Sequence, residues 1–296
     1  MKTHIELLCP DIQVTLCLVE TAGDRDAASS LSSMPIQGVF TKELDRGLLE
    51  NQFDWAVHSL KDLPSRYTDG IAPAAIPERE DPGDALCSRN GLRLDELPSG
   101  ATVGTSSPRR RALIVHRRPD LHVRDIRGNI DTRLRKLAET GIYDAIVLAC
   151  AGLRRLDLVH HMTERFDPIE WPPAAGQGAL AVTVRSDDAV AWSIAERMDH
   201  LPTRCAVTAE RAVLDGLGGG CRLPLGVLAR VDADELVVHA VLLDPDGRSM
   251  VRAVERGDLM DPTGTGKRLA DKILKEGGRA IIETSEPQPV QLDDNS

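Results

Sequence analysis

Gly104-Thr105-Ser106-Ser107-Pro108-Arg109-Arg110-Arg111 places hydroxyl side chains directly before a run of arginines, at what reads as a strand-loop-helix junction. A helix start leaves backbone N–H groups free at the positive end of the helix dipole. Anions settle at such ends. Arginine forks match carboxylates in particular, through two parallel hydrogen bonds. Thr105, Ser106, Ser107, Arg109 and Arg110 are therefore candidate carboxylate ligands, whereas Arg117 and Arg118 read as a solvated face. Arg127-Gly128 follows the next strand, and Arg133 falls in the first turns of the next helix. Open α/β sheets bind ligands outside the carboxyl ends of their strands. Two consecutive strand ends thus aim arginines at one crevice, although ion pairing with Asp125 or Asp131 is another use for them. Asp62 closes His58-Ser59-Leu60-Lys61-Asp62 at a further strand end. Its carboxylate can accept from a ring N–H or stabilise a cation, more strongly where water is excluded. An aspartate before Leu63-Pro64 also suits a plain turn. His58 reads as a core or supporting histidine. Gly218-Gly219-Gly220-Cys221 sets a thiol on a permissive loop that a bulky group can approach, and a tight turn with an inert thiol fits the same residues.

Such residues need elements to hold them, and short apolar runs alternating with helical periods point to an α/β architecture. Val14 to Val19 reads as a strand, Phe40 to Leu49 as a helix with Phe40, Leu44 and Leu48 on one face, and Trp55 to Leu60 as a strand stopped before Pro64. A second unit starts after Glu78-Arg79-Glu80-Asp81-Pro82. It runs through a strand at Thr102-Val103, a helix from Pro108 with Ser107 as cap, a strand at His122 to Ile126 and a helix at Ile130 to Glu139. Asp144 to Ala149 is apolar enough to be a central strand of a parallel sheet. Leu180 to Val184 returns as a strand toward the first unit, and Thr203 to Leu217 is a helix. From Val227 the pattern becomes a smaller α+β unit, with strands at Glu235 to Leu243 and Gly247 to Glu255 and a helix at Gly266 to Lys275.

The 296 residues allow two or three domains with sizeable cores. A net charge of −10 argues against general nucleic-acid binding, and aromatics at 3% offer few stacking platforms. Yet nine arginines and one lysine face three aspartates between Thr105 and Lys136, which fits an anionic ligand there. The six cysteines are scattered, with neither C-x-x-C pairs nor metal-ligand spacing, so most read as small buried apolar residues and no metal is expected. No apolar run approaches membrane-spanning length and the first residues do not read as a signal peptide, so the expectation is a cytoplasmic protein with no membrane contact. The polar, acidic tail from Ser285 to Ser296 reads as a frayed end.

In their order, several segments resemble the porphobilinogen deaminase (hydroxymethylbilane synthase) family. They are Phe40-Thr41-Lys42-Glu43-Leu44, His58 to Pro64, Glu78 to Pro82, Gly104 to Arg110, Arg127-Gly128-Asn129 with Thr132-Arg133, Ala149 to Leu153, Pro173 to Ala179 around Gly176-Gln177-Gly178, and Ala209-Glu210-Arg211 leading to Gly219-Gly220-Cys221. The resemblance runs from about Pro10 to about Gly278. It implies two lobes like those of periplasmic binding proteins with a cleft between them, plus a smaller α+β C-terminal domain. The implied domains are 1–79 with 178–197, 80–177, and 198–296. The implied reaction joins four porphobilinogen units head to tail into hydroxymethylbilane, releasing ammonia. The implied cofactor is a dipyrromethane in thioether linkage to Cys221. Asp62 matches the catalytic carboxylate, which stabilises an azafulvenium-like cation and accepts pyrrole N–H bonds. Lys61, Thr105, Ser106, Ser107, Arg109, Arg110, Arg127 and Gly128 match cofactor-binding positions, and Lys42, Arg133 and Gln177 match substrate-binding ones. A monomer is implied.

The sequence also departs from that pattern. The family's opening strand and helix with Arg-x-Gly-Thr-Arg-x-Ser-x-Leu-Ala are not found, since Met1 falls within the position of the first helix. The expected result is a first lobe short of a strand, with apolar surface exposed. Basic residues of the family are replaced within Thr21-Ala22-Gly23-Asp24, Pro35-Ile36-Gln37-Gly38-Val39-Phe40 and Glu80-Asp81-Pro82-Gly83-Asp84. Two other readings follow: a diverged paralogue of low activity, or a non-catalytic binder of a tetrapyrrole or other polyanion. Asp62 and Cys221 argue against the binder, which needs neither.

Overall fold

Short runs of alanine and β-branched residues pair into three sheets in the computed structural model, which describes residues 1–19, 41–64, 66–218 and 223–285. The first sheet joins β1 (Ala56–Ser59) and β2 (Ile71–Ala75) to either side of the distant β8 (Leu180–Arg185), all antiparallel. Helix α1 (Lys2–Leu8) buries Ile5 over one face, beside Val182, Val184 and Met198. Helix α2 (Lys42–Leu49) covers the other face, where Leu44, Leu48 and Phe53 meet Ala56 and Ile71. Phe40 lies outside the described residues.

The strand expected at Val14 to Val19 is not formed: these residues have irregular backbone, and Leu16 and Leu18 are 70% and 97% exposed. An alternating segment becomes a strand only when a neighbouring strand satisfies its backbone groups, and among the described residues β1 pairs with β8 and not with Val14 to Val19. Val57 on β1 is also 44% exposed.

The second sheet has the order β5-β4-β6-β3-β7, from β3 (Asp84–Ser88), β4 (Thr102–Gly104), β5 (His122–Arg124), β6 (Ala145–Ala149) and β7 (Glu164–Arg165). The fully apolar β6 is central, as expected, but the sheet is mixed: β4 runs parallel to β6 while β3 runs antiparallel. An apolar run reports burial on both faces and not strand direction. Helices α3 (Pro108–Arg117) and α4 (Ile130–Glu139) follow β4 and β5, and α5 (Cys150–Arg155) follows β6.

After α6 (Ala189–Ala195) and α7 (Leu201–Gly216), a third sheet forms from β9 (Leu225–Asp232), β10 (Glu235–Leu243) and β11 (Met250–Asp258). Helix α7 packs on it together with α8 (Pro262–Ile273), and a Cβ on Gly266 would lie 2.3 Å from the Ala209 carbonyl oxygen. Strand β9 has no counterpart in the sequence reading. The strand read from Gly247 starts at Met250 because Gly247, at φ 68°, makes the turn. Val241 and Leu243 of β10 join Leu113, Phe166 and Trp171 in the core of the second sheet.

Where the chain crosses between the first two sheets, Glu210 of α7 is wholly buried. It accepts from Arg79 Nη1 (2.6 Å), Arg79 Nη2 (3.1 Å), Gly176 N (2.7 Å) and Ala229 N (2.9 Å). Both crossings and the third sheet are thereby fastened to one carboxylate.

Candidate active site

The loop after β4 is tied down by its own hydroxyls. Ser107 N donates to Thr105 Oγ1 (3.2 Å), Ser106 Oγ to the Ile126 carbonyl (2.9 Å), and Arg110 N to Ser107 Oγ (3.4 Å), which caps α3 behind Pro108. The next junction repeats the device. Asn129 caps α4 by accepting from Thr132 N (3.0 Å), and Gly128 at φ 107° turns the chain so that its carbonyl receives Arg133 Nε (2.7 Å). Burial, then the nearby Arg110 and Arg127 charges, push the Arg133 pKa below its ordinary value, which marks a crowd of cations at the strand ends. Arg111 pairs with Asp125 (3.3 Å).

Arg109 and Arg110 lie in the first turn of α3 and are only 4% and 6% exposed. Both face a buried carboxylate, Asp84 at the start of β3: Arg109 Nη1 donates at 2.8 Å, and Arg110 Nη2 and Nε at 2.6 and 3.1 Å. Arg109 Nε is buried without a hydrogen-bond partner among the described residues.

On the first sheet, β1 ends in a tight 3-10 turn at Leu60–Asp62, with Leu60 buried and Lys61 and Asp62 presenting surface. The Lys61 ammonium reaches Gln177 Oε1 at 3.4 Å. Although the residue presents surface, its ammonium sits deep enough that burial lowers its pKa, with Asp62 opposing. The same Gln177 oxygen accepts from Arg110 Nη2 (3.4 Å). A hydrogen-bonded chain thus runs from Lys61 through Gln177 to Arg110, and on through Asp84 to Arg109, joining the ends of two sheets. His58 is buried against Thr183 Oγ1 (3.2 Å), a supporting place as expected. Lys42 starts α2 on the surface, and no described bond links it to this cluster. Cys221 and its flanking Gly219 and Gly220 lie outside the described residues, as does the tail beyond Ser285.

Three residues of the site went unnoticed in the sequence. Asp84 was passed over because a buried acid is visible only once its arginines are in place. Arg155 follows β6 and donates to the Gly178 carbonyl (2.7 Å), and its position after a strand end was the available signal. Arg165 pairs with Asp81 (2.7 Å), and its Nη2 lies 3.6 Å from where a Cβ on Gly83 would stand. A guanidinium therefore stands beside one of the positions that lacks the family's basic residue. Among the described residues no group of three or more His, Cys, Asp and Glu is placed to hold a metal.

The structure thus joins two α/β sheet units, whose ends bring arginines, a lysine and a carboxylate to one junction, to a third α+β unit. Comparison with known proteins narrows this. The family description "Porphobilinogen deaminase, dipyromethane cofactor binding domain" matches residues 2–192, and "Porphobilinogen deaminase, C-terminal domain" matches residues 204–275. The porphobilinogen deaminase of Desulforudis audaxviator is 44% identical over 279 residues, spanning 94% of this chain and 90% of that one. That of Thermus thermophilus is 46% identical over 274 residues, spanning 92% and 89%. The ancestral amino acid-binding protein AncCDT-1, a solved structure, aligns at 13% identity over 66% of this chain and 75% of that one, with a TM-score of 0.35. This chain belongs to the porphobilinogen deaminase family.

Proposed function

We propose that this chain polymerises four porphobilinogen units head to tail into hydroxymethylbilane for tetrapyrrole biosynthesis, releasing ammonia from each, with Asp62 as the catalytic carboxylate. The carrying observation is the chain of contacts from Lys61 through Gln177 to Arg110, and through Asp84 to Arg109, which gathers cationic donors at one junction. Pyrroles bearing acetate and propionate groups need such donors. The unsatisfied Arg109 Nε and the crowded Arg133 and Arg127 suit a dipyrromethane with its carboxylates. When bound through Cys221, that group supplies the pyrrole carbon from which the product grows. Lys61, Thr105, Ser106, Ser107, Arg109, Arg110, Arg127 and Gly128 hold its carboxylates by charge and by N–H and O–H donors. Lys42, Arg133 and Gln177 meet the incoming unit. Asp62 stands one residue from Lys61, where its charge opposes the cation that ammonia leaves behind and accepts ring N–H bonds; positioning and electrostatics carry the rate.

In this reading residues 1–79 with 178–197 form the first domain, 80–177 the second and 198–296 the third. Buried free thiols at Cys9, Cys87, Cys150 and Cys205 support a reducing, cytoplasmic setting, and the net charge of −10 supports a protein without nucleic-acid partners. The protein acts as a monomer. No described helix is long and apolar enough to cross a membrane. Nothing in the comparisons favours a diverged paralogue or a non-catalytic binder.

The test is the intact mass of the purified chain beside a Cys221→Ser variant, with turnover of porphobilinogen measured on both. An added dipyrromethane mass, absent from the variant together with turnover, supports the assignment. An unmodified, inactive wild-type chain that binds hydroxymethylbilane tightly would overturn it in favour of the binder.

A further inference from the structure

Asp84 opens β3 and is fully buried. Five hydrogen bonds end on its carboxylate: Arg109 Nη1 (2.8 Å) and Trp171 Nε1 (3.2 Å) on Oδ2, and Arg110 Nε (3.1 Å), Arg110 Nη2 (2.6 Å) and Gln177 Nε2 (2.9 Å) on Oδ1. These donors come from the first turn of α3 and from the crossing between the sheets. Two neighbouring guanidiniums repel each other, and one carboxylate between them leaves a single net positive charge. We propose that Asp84 is a positioning residue: it presets Arg109 and Arg110 as a fixed, half-neutralised pair and, through the Gln177 amide, ties that pair to Lys61 beside the first sheet.

The Gln177 amide shows how the tie works. Its nitrogen donates to the Pro82 carbonyl (2.8 Å) and to Asp84, while its oxygen faces the Lys61 ammonium and Arg110. The amide is therefore polarised from carboxylate to cation, and a displaced Asp84 charge turns it. Burial alone would raise the Asp84 pKa, but Arg109 and Arg110 outweigh burial and hold it far below the usual carboxylate range. The charge that does the positioning is thus present at any working pH. Arg110 is also held by the Val147 carbonyl (2.9 Å), and Arg109 by the Pro172 carbonyl (2.9 Å). Neither of those bonds fixes one arginine relative to the other, and Asp84 does.

This role rests on Arg109 and Arg110 being carboxylate-binding residues. The test compares Asp84→Glu, which keeps the charge but shifts it by one methylene, with Arg109→Ala and Arg110→Ala. For each, kcat and KM for porphobilinogen, the melting temperature and the fraction of chains loaded with cofactor by intact mass are measured. Asp84→Glu is expected to stay folded, to load less completely, and to raise KM roughly ten- to a hundredfold with a smaller change in kcat. Unchanged KM and loading, a fall in kcat alone, or loss of the folded state would overturn the proposal, the last by making the carboxylate purely structural. If the two alanine variants leave KM unchanged, the carboxylate-binding reading itself fails. If they raise it and Asp84→Glu does not, only the role of Asp84 fails.

Discussion

Replacing Glu210 by glutamine tests whether one buried charge fastens the two crossings to the third sheet. Each Glu210 oxygen accepts from one Arg79 nitrogen and one backbone N–H, Ala229 N on Oε1 and Gly176 N on Oε2. Glutamine has one oxygen, so whichever way its amide turns, an N–H of Arg79 and a backbone N–H meet another donor. A buried backbone N–H left without an acceptor costs about 1–3 kcal/mol. Arg79, with its side chain only 10% exposed, also loses its counter-charge, and breaking a buried pair from one side costs about 3–5 kcal/mol in all. At roughly 2–4 °C per kcal/mol for a domain-sized unit, Glu210→Gln should melt on the order of 10 °C lower. Urea titration should show a lower midpoint with an unchanged slope. The double variant Arg79→Met with Glu210→Gln should lose less than the sum of the single changes, since it leaves no unpaired buried charge. A Glu210→Gln variant within about 1 kcal/mol of the parent chain would refute the reasoning, because the carboxylate would then be replaceable by a neutral acceptor.

Two further outcomes follow from the same geometry. His58 has its pKa lowered by burial, against opposition from Asp45 and Asp62. The unfolded chain therefore binds the proton first, and stability is full above about pH 6.5 and falls on acidification by at most about 1.4 kcal/mol per pH unit from this residue. The difference in stability between parent and His58→Gln should shrink correspondingly from pH 7.5 to 5.5 in urea titrations, and a pH-independent difference would contradict it. Gly178, at φ 88°, brings its Cα so close to the first crossing that a Cβ would lie 2.4 Å from the Glu80 carbonyl oxygen. Gly178→Ala should cost about 2–5 kcal/mol by unfavourable backbone and overpacking, and a melting temperature within 2 °C of the parent would show that the crossings yield more easily than their packing implies.

What could be read in advance depended on how local each feature was. The cap at Ser107, the helix at Ile130–Glu139 and the strand at Glu235–Leu243 were legible because caps, helical period and a β-rich run are written within ten residues. The second sheet's two strand-end loops were legible for the same reason. Strand β2 (Ile71–Ala75) was not, since Pro73 interrupts it and its one partner among the described residues lies more than a hundred residues away. Val14 to Val19 fails in the opposite way: its alternation is strand-like, yet strand formation depends on a neighbour that the local pattern does not encode. Type and place single out the arginines of α3 in the sequence, and the structure buries Arg109 and Arg110 in the first turn of that helix. Their hold on Asp84 was invisible because it arises from β3, α3 and the crossing meeting in three dimensions.

The antiparallel pairing of β8 between β1 and β2 has a consequence for how the chain is made. A ribosome adds about 5–20 residues per second, so the stretch from Ala75 to Leu180 takes roughly 5–20 s to emerge. Every strand of the second sheet is available once Arg165 has emerged, while β1 and β2 still wait for the strand that joins them. The half of the junction that presents arginines can therefore be folded on a nascent chain before the half that presents Lys61 and Asp62. A polypeptide released before Leu180 carries the strand-end arginines of the second sheet without the strand that joins β1 to β2, so premature termination yields half of the junction and not a slow enzyme.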